Sequence, residues 1–466
     1  MTTKVLLFEL NEVPWRIIED YVVDHPTSEL ARLLPKMQTF ETTAEDTALS
    51  PWITWPSLHR GIGDDSHTIS DFGQDLSEIN EAYPAVWELL AKAGVPVGVF
   101  GSLHSYPVPS NVEKYAFFVP DVFASGSECF PKRIESFQDF NLSMSRESAR
   151  NVSTKLPITK AIKFLSQAPG LGLKARTALD VGLQLLDERR RSWVKTRRRT
   201  YQVLLAFDIY MKELERTEPA FSTFFTNHIA STMHRYWGAR YPGDYKSSSF
   251  ESEWTRTYSR EISWTMSSFD KMLKRLARFV EARPEYELWI ASSMGQAATE
   301  ASQVLTQLYL QDTGTFMQAL GFSPDDWQTR PAMLPRIIFE MKNGKGDEFA
   351  ERLARVEIAD RGPLPWKRIT SDIFRIHPGI LQNLEGGFCT LDGRRRELSE
   401  LGFANVQIQD SVGQTAYHIP AGTLLRYGAA LKPTKSRTAV STLSVAPSIL
   451  SRFGVAPPDY MRGDAF

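Results

Sequence analysis

The chain has 466 residues, a hydrophobic fraction of 42%, a charged fraction of 23% and a formal net charge of -1. This composition is typical of a globular protein, and the balanced charge excludes a whole-molecule attraction to nucleic acid or to anionic membranes. The length suits one large α/β domain with an insertion, or two to three average domains. The two cysteines, Cys129 and Cys389, have no metal-type spacing, which favours a reducing compartment.

The beginning of the chain has the pattern of a buried strand followed by a helix. Val5 to Leu10 is a short apolar run that ends in a polar turn before Pro14, and Trp15 to Val23 has helical spacing. Polar residues interrupt the apolar run early, and no run of 18 apolar residues occurs elsewhere. We therefore expect no signal peptide, no transmembrane segment and a cytoplasmic location.

Two further segments have the pattern of a helix that leads into a strand. Residues 86–92 have helical spacing and precede the strand-like run Val95 to Phe100, and Trp264 to Val280 precedes Glu287 to Ala291 in the same way. In open α/β sheets the loops at the carboxyl ends of the strands hold the chemistry. The loops after the three predicted strands are therefore the candidates for a site.

Two stretches differ from this pattern and are predicted to be insertions. Residues 136–219 are mainly helical and form a predicted cap, and residues 323–400 contain several prolines and a predicted helix from Glu348 to Val356. The core is then formed by residues 1–135, 220–322 and 401–466. The basic stretch from Arg189 to Arg199 is either a patch that faces phosphate or membrane or a solvated helix face, and we favour the solvated face.

Four short segments carry polar or metal-capable side chains beside Pro, Gly or aromatic residues. They are Phe8 to Pro14, Ser50 to Ser57, Phe225 to Trp237 and Tyr417 to Gly422. In order and context they resemble the alkaline phosphatase superfamily, in its nucleotide pyrophosphatase/phosphodiesterase-like branch. The resemblance implies an α/β fold with a central, mostly parallel sheet flanked by helices and with helical cap insertions.

The resemblance extends to individual motifs. The family's nucleophile is a Thr or Ser before a Pro, with a Gly and a His downstream, and the matching residues here are Thr54, Pro56, Gly61 and His67. The family's opening Asp-Gly pair is matched by Asn11-Glu12, and its Ser-Asp-His-Gly strand end by the run from Ser292 to Gly295. Its closing His, Pro and Gly are similar to His418, Pro420 and Gly422.

The departures from the family pattern fall on the metal ligands. Two metal ions, usually zinc, need about three carboxylates and three histidines in such a site. Here Asn11 and the pair Ser293-Met294 replace charged ligands of one metal, and Ala230 replaces the Asp four positions before His234. The resemblance thus implies at most one zinc or manganese ion, held by His234 and His418, or no metal. Asn227 and His228 are candidate substitutes for the missing Asp.

The resemblance also implies roles for the site residues. Thr54 is expected to be the nucleophile or a hydroxyl that positions the substrate, His234 and His418 acid/base groups or metal ligands, and Asn11 an oxyanion donor. We expect Ser293, Arg235, His228 and Asn227 to bind the substrate. Each has a simpler structural interpretation, such as a turn-lining threonine or a hydrogen-bonded structural histidine.

Two functions from different classes remain open. The first is an enzyme, hydrolase or transferase, that processes a phosphoester, a phosphodiester or a nucleotide-sugar, with a phosphorylated or nucleotide-sugar small molecule or a glycan as partner and no nucleic acid. The second is a catalytically inactive pseudo-phosphodiesterase that binds or scaffolds, which the loss of ligand carboxylates favours.

Overall fold

The computed structural model describes residues 3–70, 74–146, 158–245, 250–300, 306–330, 332, 336–358, 361–378, 387–407 and 414–466. The chain divides into two compact units. The first comprises residues 1–141, 157–301 and 414–466, and the second comprises residues 142–156 and 302–413.

The strands of the described ranges fall in three successive groups along the chain, and the middle group belongs to the second unit. The first unit contributes β1 (Lys4–Leu10), β2 (Gln38–Thr43), β3 (Val97–Phe100), β4 (Phe117–Val119), β5 (Phe221–Thr226), β6 (Tyr286–Ala291) and β7 (Gly295–Ala298). The second unit contributes β8 (Thr306–Leu310), β9 (Trp327–Arg330), β10 (Ile337–Met341), β11 (Val356–Ile358), β12 (Gly362–Pro363), β13 (Trp366–Arg368), β14 (Ile373–Ile376), β15 (Phe388–Leu391), β16 (Arg394–Glu397) and β17 (Phe403–Gln407). The first unit resumes with β18 (Ala416–Ile419), β19 (Ala421–Gly428) and β20 (Thr438–Ser441).

Most of the helices belong to the first unit. They are α1 (Trp15–Asp24), α2 (Glu29–Leu33), α3 (Pro51–Arg60), α4 (Asp64–His67), α5 (Ser77–Ala82), α6 (Val86–Lys92), α7 (Glu135–Arg146), α8 (Ile158–Leu171), α9 (Ala175–Asp187), α10 (Arg198–Thr217), α11 (His228–Arg240), α12 (Ser252–Tyr258) and α13 (Glu261–Glu281). Of these helices α7 crosses the boundary, because its residues from Leu142 onward belong to the second unit. The second unit contributes α14 (Thr313–Ala319) and α15 (Gly346–Leu353), and α16 (Val445–Arg452) returns to the first. None of the helices in the described ranges has the length and apolar character that crossing a bilayer requires.

The first unit is built on an eight-stranded sheet. Its strand order is β20-β2-β19-β6-β1-β5-β3-β4. All neighbouring pairs are parallel except the two that β19 makes with β2 and β6. The predicted α/β class with a central, mostly parallel sheet is therefore confirmed.

Helices cover both faces of this sheet. Val5 and Leu7 of β1 belong to a buried cluster with Trp55 of α3 and Trp87 of α6. On the opposite face, Phe8 makes ring contacts with aromatic residues of α10 and α13 at centroid distances of 6.5 Å and 5.5 Å. Because a central parallel strand is buried on both faces, its sequence is a continuous apolar run instead of an alternating one.

The second unit consists mainly of small antiparallel sheets. Two have four strands each, in the orders β13-β14-β10-β9 and β12-β11-β15-β16, and β8 pairs with β17. A buried apolar cluster of its own holds this unit together.

The limits of the two units differ from the expected insertions. The helices α8, α9 and α10, which fall in the expected cap at 136–219, lie in the first unit. The second unit extends beyond 323–400 at both ends, because the antiparallel ladder between β8 and β17 joins residues 306–310 to 403–407. The helix expected from Glu348 to Val356 instead ends at Leu353, and Val356 begins β11.

Candidate functional site

Three neighbouring parallel strands bring polar residues to one edge of the central sheet. Strand β1 lies between β5 and β6, and the loops that follow them begin at Asn11, Asn227 and Ser292. This edge, at the carboxyl ends of the strands, is where open α/β sheets place their sites. Two of the three loops expected to hold chemistry, those after β1 and β6, contribute to the clusters described below.

An additional antiparallel pair completes this region. Strand β7 follows the loop after β6 and pairs with β18, so that Gln296 lies opposite His418. Gly295 permits this arrangement, because a Cβ atom there would lie 2.1 Å from the carbonyl oxygen of Ala421. The sequence places Gly where the backbone of β19 leaves no room for a side chain.

Glu12 lies at the centre of the candidate site. It adopts a left-handed backbone conformation with φ of 60°, which is uncommon for a residue with a side chain, and it is 2% exposed. Its Oε1 accepts a hydrogen bond from Asn11 Nδ2 at 2.8 Å, and its Oε2 accepts one from Gln296 Nε2. The same Oε2 lies 3.0 Å from His234 Nε2 and 3.3 Å from His418 Nε2.

Backbone carbonyls fix the orientation of the two histidines. His234 Nδ1 lies 2.8 Å from the oxygen of Ala416, and His418 Nδ1 lies 2.7 Å from the oxygen of Leu49. A carbonyl oxygen only accepts hydrogen bonds, so Nδ1 carries the proton in both rings. In each ring the Nε2 atom is therefore the one directed at Glu12, which is the arrangement of metal-ligating histidines.

In the metal-free cluster the electrostatics favour a negative charge on Glu12 and a positive charge on His418. Burial alone would raise the pKa of Glu12, but the charges and hydrogen bonds of His418 and His234 hold it well below its ordinary value. Burial would likewise lower the pKa of His418, but the Glu12 carboxylate and the Leu49 carbonyl raise it above its ordinary value. The cluster thus concentrates negative charge on Glu12.

The three side chains fit a single divalent metal ion. Glu12, His234 and His418 each offer a ligand atom, and these atoms lie within 4.8 Å of one another. Ligands about 2.0 Å from a tetrahedral zinc ion are about 3.3 Å apart, close to the distances from Glu12 Oε2 to the two rings. Neutral rings would direct two nitrogen lone pairs at the same carboxylate oxygen, so a cation between these atoms relieves the repulsion.

Asn11 positions Glu12. Its Oδ1 accepts a hydrogen bond from Trp55 Nε1 at 2.7 Å, and its Nδ2 donates to Glu12 and to Asn227 Oδ1, both at 2.8 Å. Both hydrogens of the amide are therefore engaged, and the expected role of Asn11 as an oxyanion donor stays a prediction. Asn227 is exposed, and it contacts Asn11 instead of taking the place of the missing Asp among the ligands.

Thr54 and Ser293 form a separate, buried pair. Their hydroxyl oxygens are 2.8 Å apart, and both side chains are fully buried. Thr54 lies in the first turns of α3, next to Trp55, whose indole binds Asn11. Thr54 is thus linked to Glu12 through its neighbour Trp55 and through Asn11. The role of Thr54 as a nucleophile stays a prediction.

The remaining predicted site residues lie elsewhere in α11. His228 is buried with neither ring nitrogen hydrogen-bonded within the described structure, and burial lowers its pKa to about 3 despite the nearby Thr265 backbone. It contacts α13 and does not join the ligand cluster. Arg235 is 6% exposed, too buried to act as a surface charge. The substrate-binding roles of both stay predictions.

Sequence reasoning missed Glu12 and Gln296 as site residues. Glu12 stands where the resembled family has Gly, and a carboxylate directly after the missing opening Asp was the available signal. No local pattern marks Gln296, because its contact with Glu12 depends on the pairing of β7 with β18.

Comparisons with known proteins give a structural likeness alone. No family model and no curated protein matches the chain. It is similar to the structure of murine ectonucleotide pyrophosphatase/phosphodiesterase 5, with 12% identity and a TM-score of 0.45, covering 99% of this chain and 97% of that chain. An inactive variant of that murine protein in complex with AMP matches with 12% identity, a TM-score of 0.42 and the same coverage. The human counterpart matches with 13% identity, a TM-score of 0.40 and the same coverage. Similarity at this level does not transfer an activity or a ligand to the chain.

Proposed function

We propose that the chain is a single-metal enzyme that processes phosphoesters, phosphodiesters or nucleotide-sugars by hydrolysis or transfer. The observation that carries the proposal is the convergence of Glu12 Oε2 with the Nε2 atoms of His234 and His418. One carboxylate and two imidazoles suit zinc, and manganese is the second choice. Three protein ligands leave a coordination position open, as in catalytic sites.

The ligand residues and their supports have distinct tasks in this proposal. Glu12, His234 and His418 hold the ion, which when bound polarises a phosphoryl oxygen and lowers the pKa of a bound hydroxyl or water. Asn11 and Gln296 fix the two oxygens of Glu12, and the carbonyls of Ala416 and Leu49 fix the rings. These supports keep the ligand atoms in place before the metal arrives.

Thr54 is the proposed attacking or substrate-positioning hydroxyl. The support is its place in the motif that resembles the family's nucleophile loop, together with its hydrogen bond to Ser293. Because the pair is fully buried, substrate access requires the surrounding loops to open. We propose that Ser293 holds the Thr54 hydroxyl in one rotamer until the substrate replaces this contact.

A second candidate is a metal-binding protein without turnover. The specific observation that favours it is the neutral character of the positions matching the second metal of the family. Ser293 and Met294 are fully buried there, and Asn11 has its amide committed to other side chains. Under this alternative the cluster binds a metal and a phosphorylated ligand but releases no product.

Metal analysis and an assay on the same preparations test both candidates. The metal-loaded protein, Glu12→Gln, Thr54→Ala and the control His25→Ala would be compared by plasma mass spectrometry and on aryl phosphate mono- and diesters. His25 is an imidazole in contact with Ser263, outside the cluster, and serves as the matched control.

Each outcome of the comparison decides between the candidates. Near-stoichiometric metal, with turnover that depends on Glu12 and Thr54, supports the enzyme. Metal that depends on Glu12 without turnover of either ester supports the binding protein. Absence of metal from the wild-type protein, or metal that survives in Glu12→Gln, contradicts the proposed site.

A further inference from the structure

An unusual concentration of exposed aliphatic side chains lies on α8 and α9. The large hydrophobic residues with exposed side chains number ten within the described ranges, and six of them belong to these two helices. They are Ile162, Leu165, Leu179, Leu183, Leu185 and Leu186. Single exposed apolar residues are ordinary, but a run of them along one face of a helix marks an interaction surface.

The helix α9 directs its leucines outward. Leu179, Leu183 and Leu186 recur at the spacing of one helical face, and each is more than half exposed. The buried position of this helix is the polar Gln184, which donates hydrogen bonds to Glu188 and to the carbonyl of Val194. A leucine stripe on a helix normally faces the protein core. An exposed stripe of this kind therefore indicates a binding partner beyond the residues that the structure describes.

The helix α8 shows the same division between its faces. Phe164 is buried, and its ring lies 5.4 Å from those of Phe137 and Phe140. Ile162 and Leu165 project from the helix into solvent, at exposures of 63% and 56%. We define the α9 stripe of Leu179, Leu183 and Leu186 as the leucine face.

The charges of the segment that contains α8 and α9 are predominantly positive once its ion pairs are set aside. Asp180, Asp187 and Glu188 are paired with Arg176, Arg191 and Arg198. Four exposed cations of the same segment form no ion pair with a carboxylate among the described residues, although Arg190 is close enough to Asp187 to help lower the pKa of that carboxyl. These cations are Lys163, Lys174, Arg189 and Arg190. In the basic stretch Arg191 and Arg198 are paired with carboxylates, whereas Arg189 and Arg190 form no ion pair among the described residues.

We propose that the leucine face binds the surface of an anionic lipid bilayer. Aliphatic side chains enter the boundary between headgroups and acyl chains, and flanking cations attract anionic headgroups. Protein interfaces are instead enriched in aromatic residues, and none of the exposed residues of the face is aromatic. In this proposal α9 lies in the plane of the membrane surface and does not cross it.

Vesicle binding tests this proposal with the full-length protein. Sedimentation would compare vesicles of phosphatidylcholine alone with vesicles that also contain phosphatidylglycerol, at low and high salt. We expect binding to the anionic vesicles, weakened by salt because the headgroup attraction is screened. Replacing Arg189 and Arg190 by Gln should weaken binding about fivefold for each charge removed.

Variants of the leucines test whether these side chains make the contact with lipid. Changing Leu179, Leu183 and Leu186 to Ser should weaken vesicle binding at least about tenfold, since each loses several buried methylene groups. These side chains are exposed, so the variant should fold, which circular dichroism would verify. The control Val23→Ser alters an exposed aliphatic residue on α1 and should bind like wild type.

Three results would overturn the proposal. One is an absence of binding to anionic vesicles, and another is binding that neither the leucine nor the arginine variant changes. The third is a dimer of the wild-type protein, measured by light scattering, that the leucine variant dissociates, because the face would then be covered by a second copy.

Discussion

Replacing Glu12 by Gln is the sharpest test of the metal cluster, because it removes the charge and nearly preserves the shape. Glu12 is the one carboxylate among the ligands found in the described residues. Glutamine keeps one of the two acceptor oxygens, so the variant loses the hydrogen bond from either Asn11 or Gln296 as well as the charge. Comparing each protein with and without metal separates the loss of metal affinity from this loss of stability.

The magnitude follows from linkage between binding and folding. At a metal concentration about a hundred times the dissociation constant, binding stabilises the folded state by about 2.7 kcal/mol. Loss of groups that merely orient ligands costs about 10–100-fold in affinity, so loss of the anionic ligand should cost about 100-fold or more. At the same metal concentration the variant then gains only about 0.4 kcal/mol or less.

The assay is thermal unfolding of metal-free and metal-loaded protein, followed by calorimetry. We expect wild type to gain a few degrees in Tm with zinc and Glu12→Gln to gain almost none. The control is Glu19→Gln, which removes a partly exposed carboxylate paired with Arg437, worth about 1 kcal/mol at most. Equal shifts in Glu12→Gln and wild type, or no shift in wild type, would refute the reasoning.

The remaining predictions concern the hydroxyl pair, the packing around Gly295 and the half-buried carboxyl of Asp46. Thr54→Ala should lower the turnover of an aryl phosphodiester by about a thousandfold or more, and Thr54→Ser should lower it much less. Equal turnover by Thr54→Ala and wild type would exclude Thr54 as the nucleophile. Gly295→Ala should lower the free energy of unfolding by about 2–3 kcal/mol in urea titrations, because its Cβ would lie 2.1 Å from the Ala421 oxygen; an unchanged midpoint would contradict that contact. Burial, and next to it the charge of Asp64, raises the pKa of Asp46 to about 6 despite the hydrogen bond from Ser57. Because the pKa is higher in the folded state, protonated Asp46 favours folding, and this contribution to stability is lost as pH rises from about 4 to about 6. Asp46→Asn should therefore be more stable than wild type by about 1–2 kcal/mol at pH 8 and no more stable at pH 4. A difference in stability that does not change with pH would contradict this titration.

The sequence by itself determined the class of the fold and indicated several candidate site positions. Continuous apolar runs with polar ends predicted β1 and β6 to within about a residue, because a central parallel strand has no solvated face to interrupt the run. Motifs that resemble the alkaline phosphatase superfamily likewise singled out Thr54, His234 and His418. The last two lie together in the structure, far apart as they are in sequence.

Only the tertiary structure decided which carboxylate completes the cluster. Glu12 reaches His234 and His418 because β1 lies beside β5, because β7 pairs with β18, and because the turn after β1 adopts a positive φ. None of these features leaves a local pattern, since strand neighbours and backbone turns depend on contacts distant in sequence. The limits of the second unit were hidden for the same reason, because the ladder between β8 and β17 joins segments separated by the whole unit. Short-range periodicity reports which faces of an element are buried, whereas the identity of the covering partner is set by long-range packing.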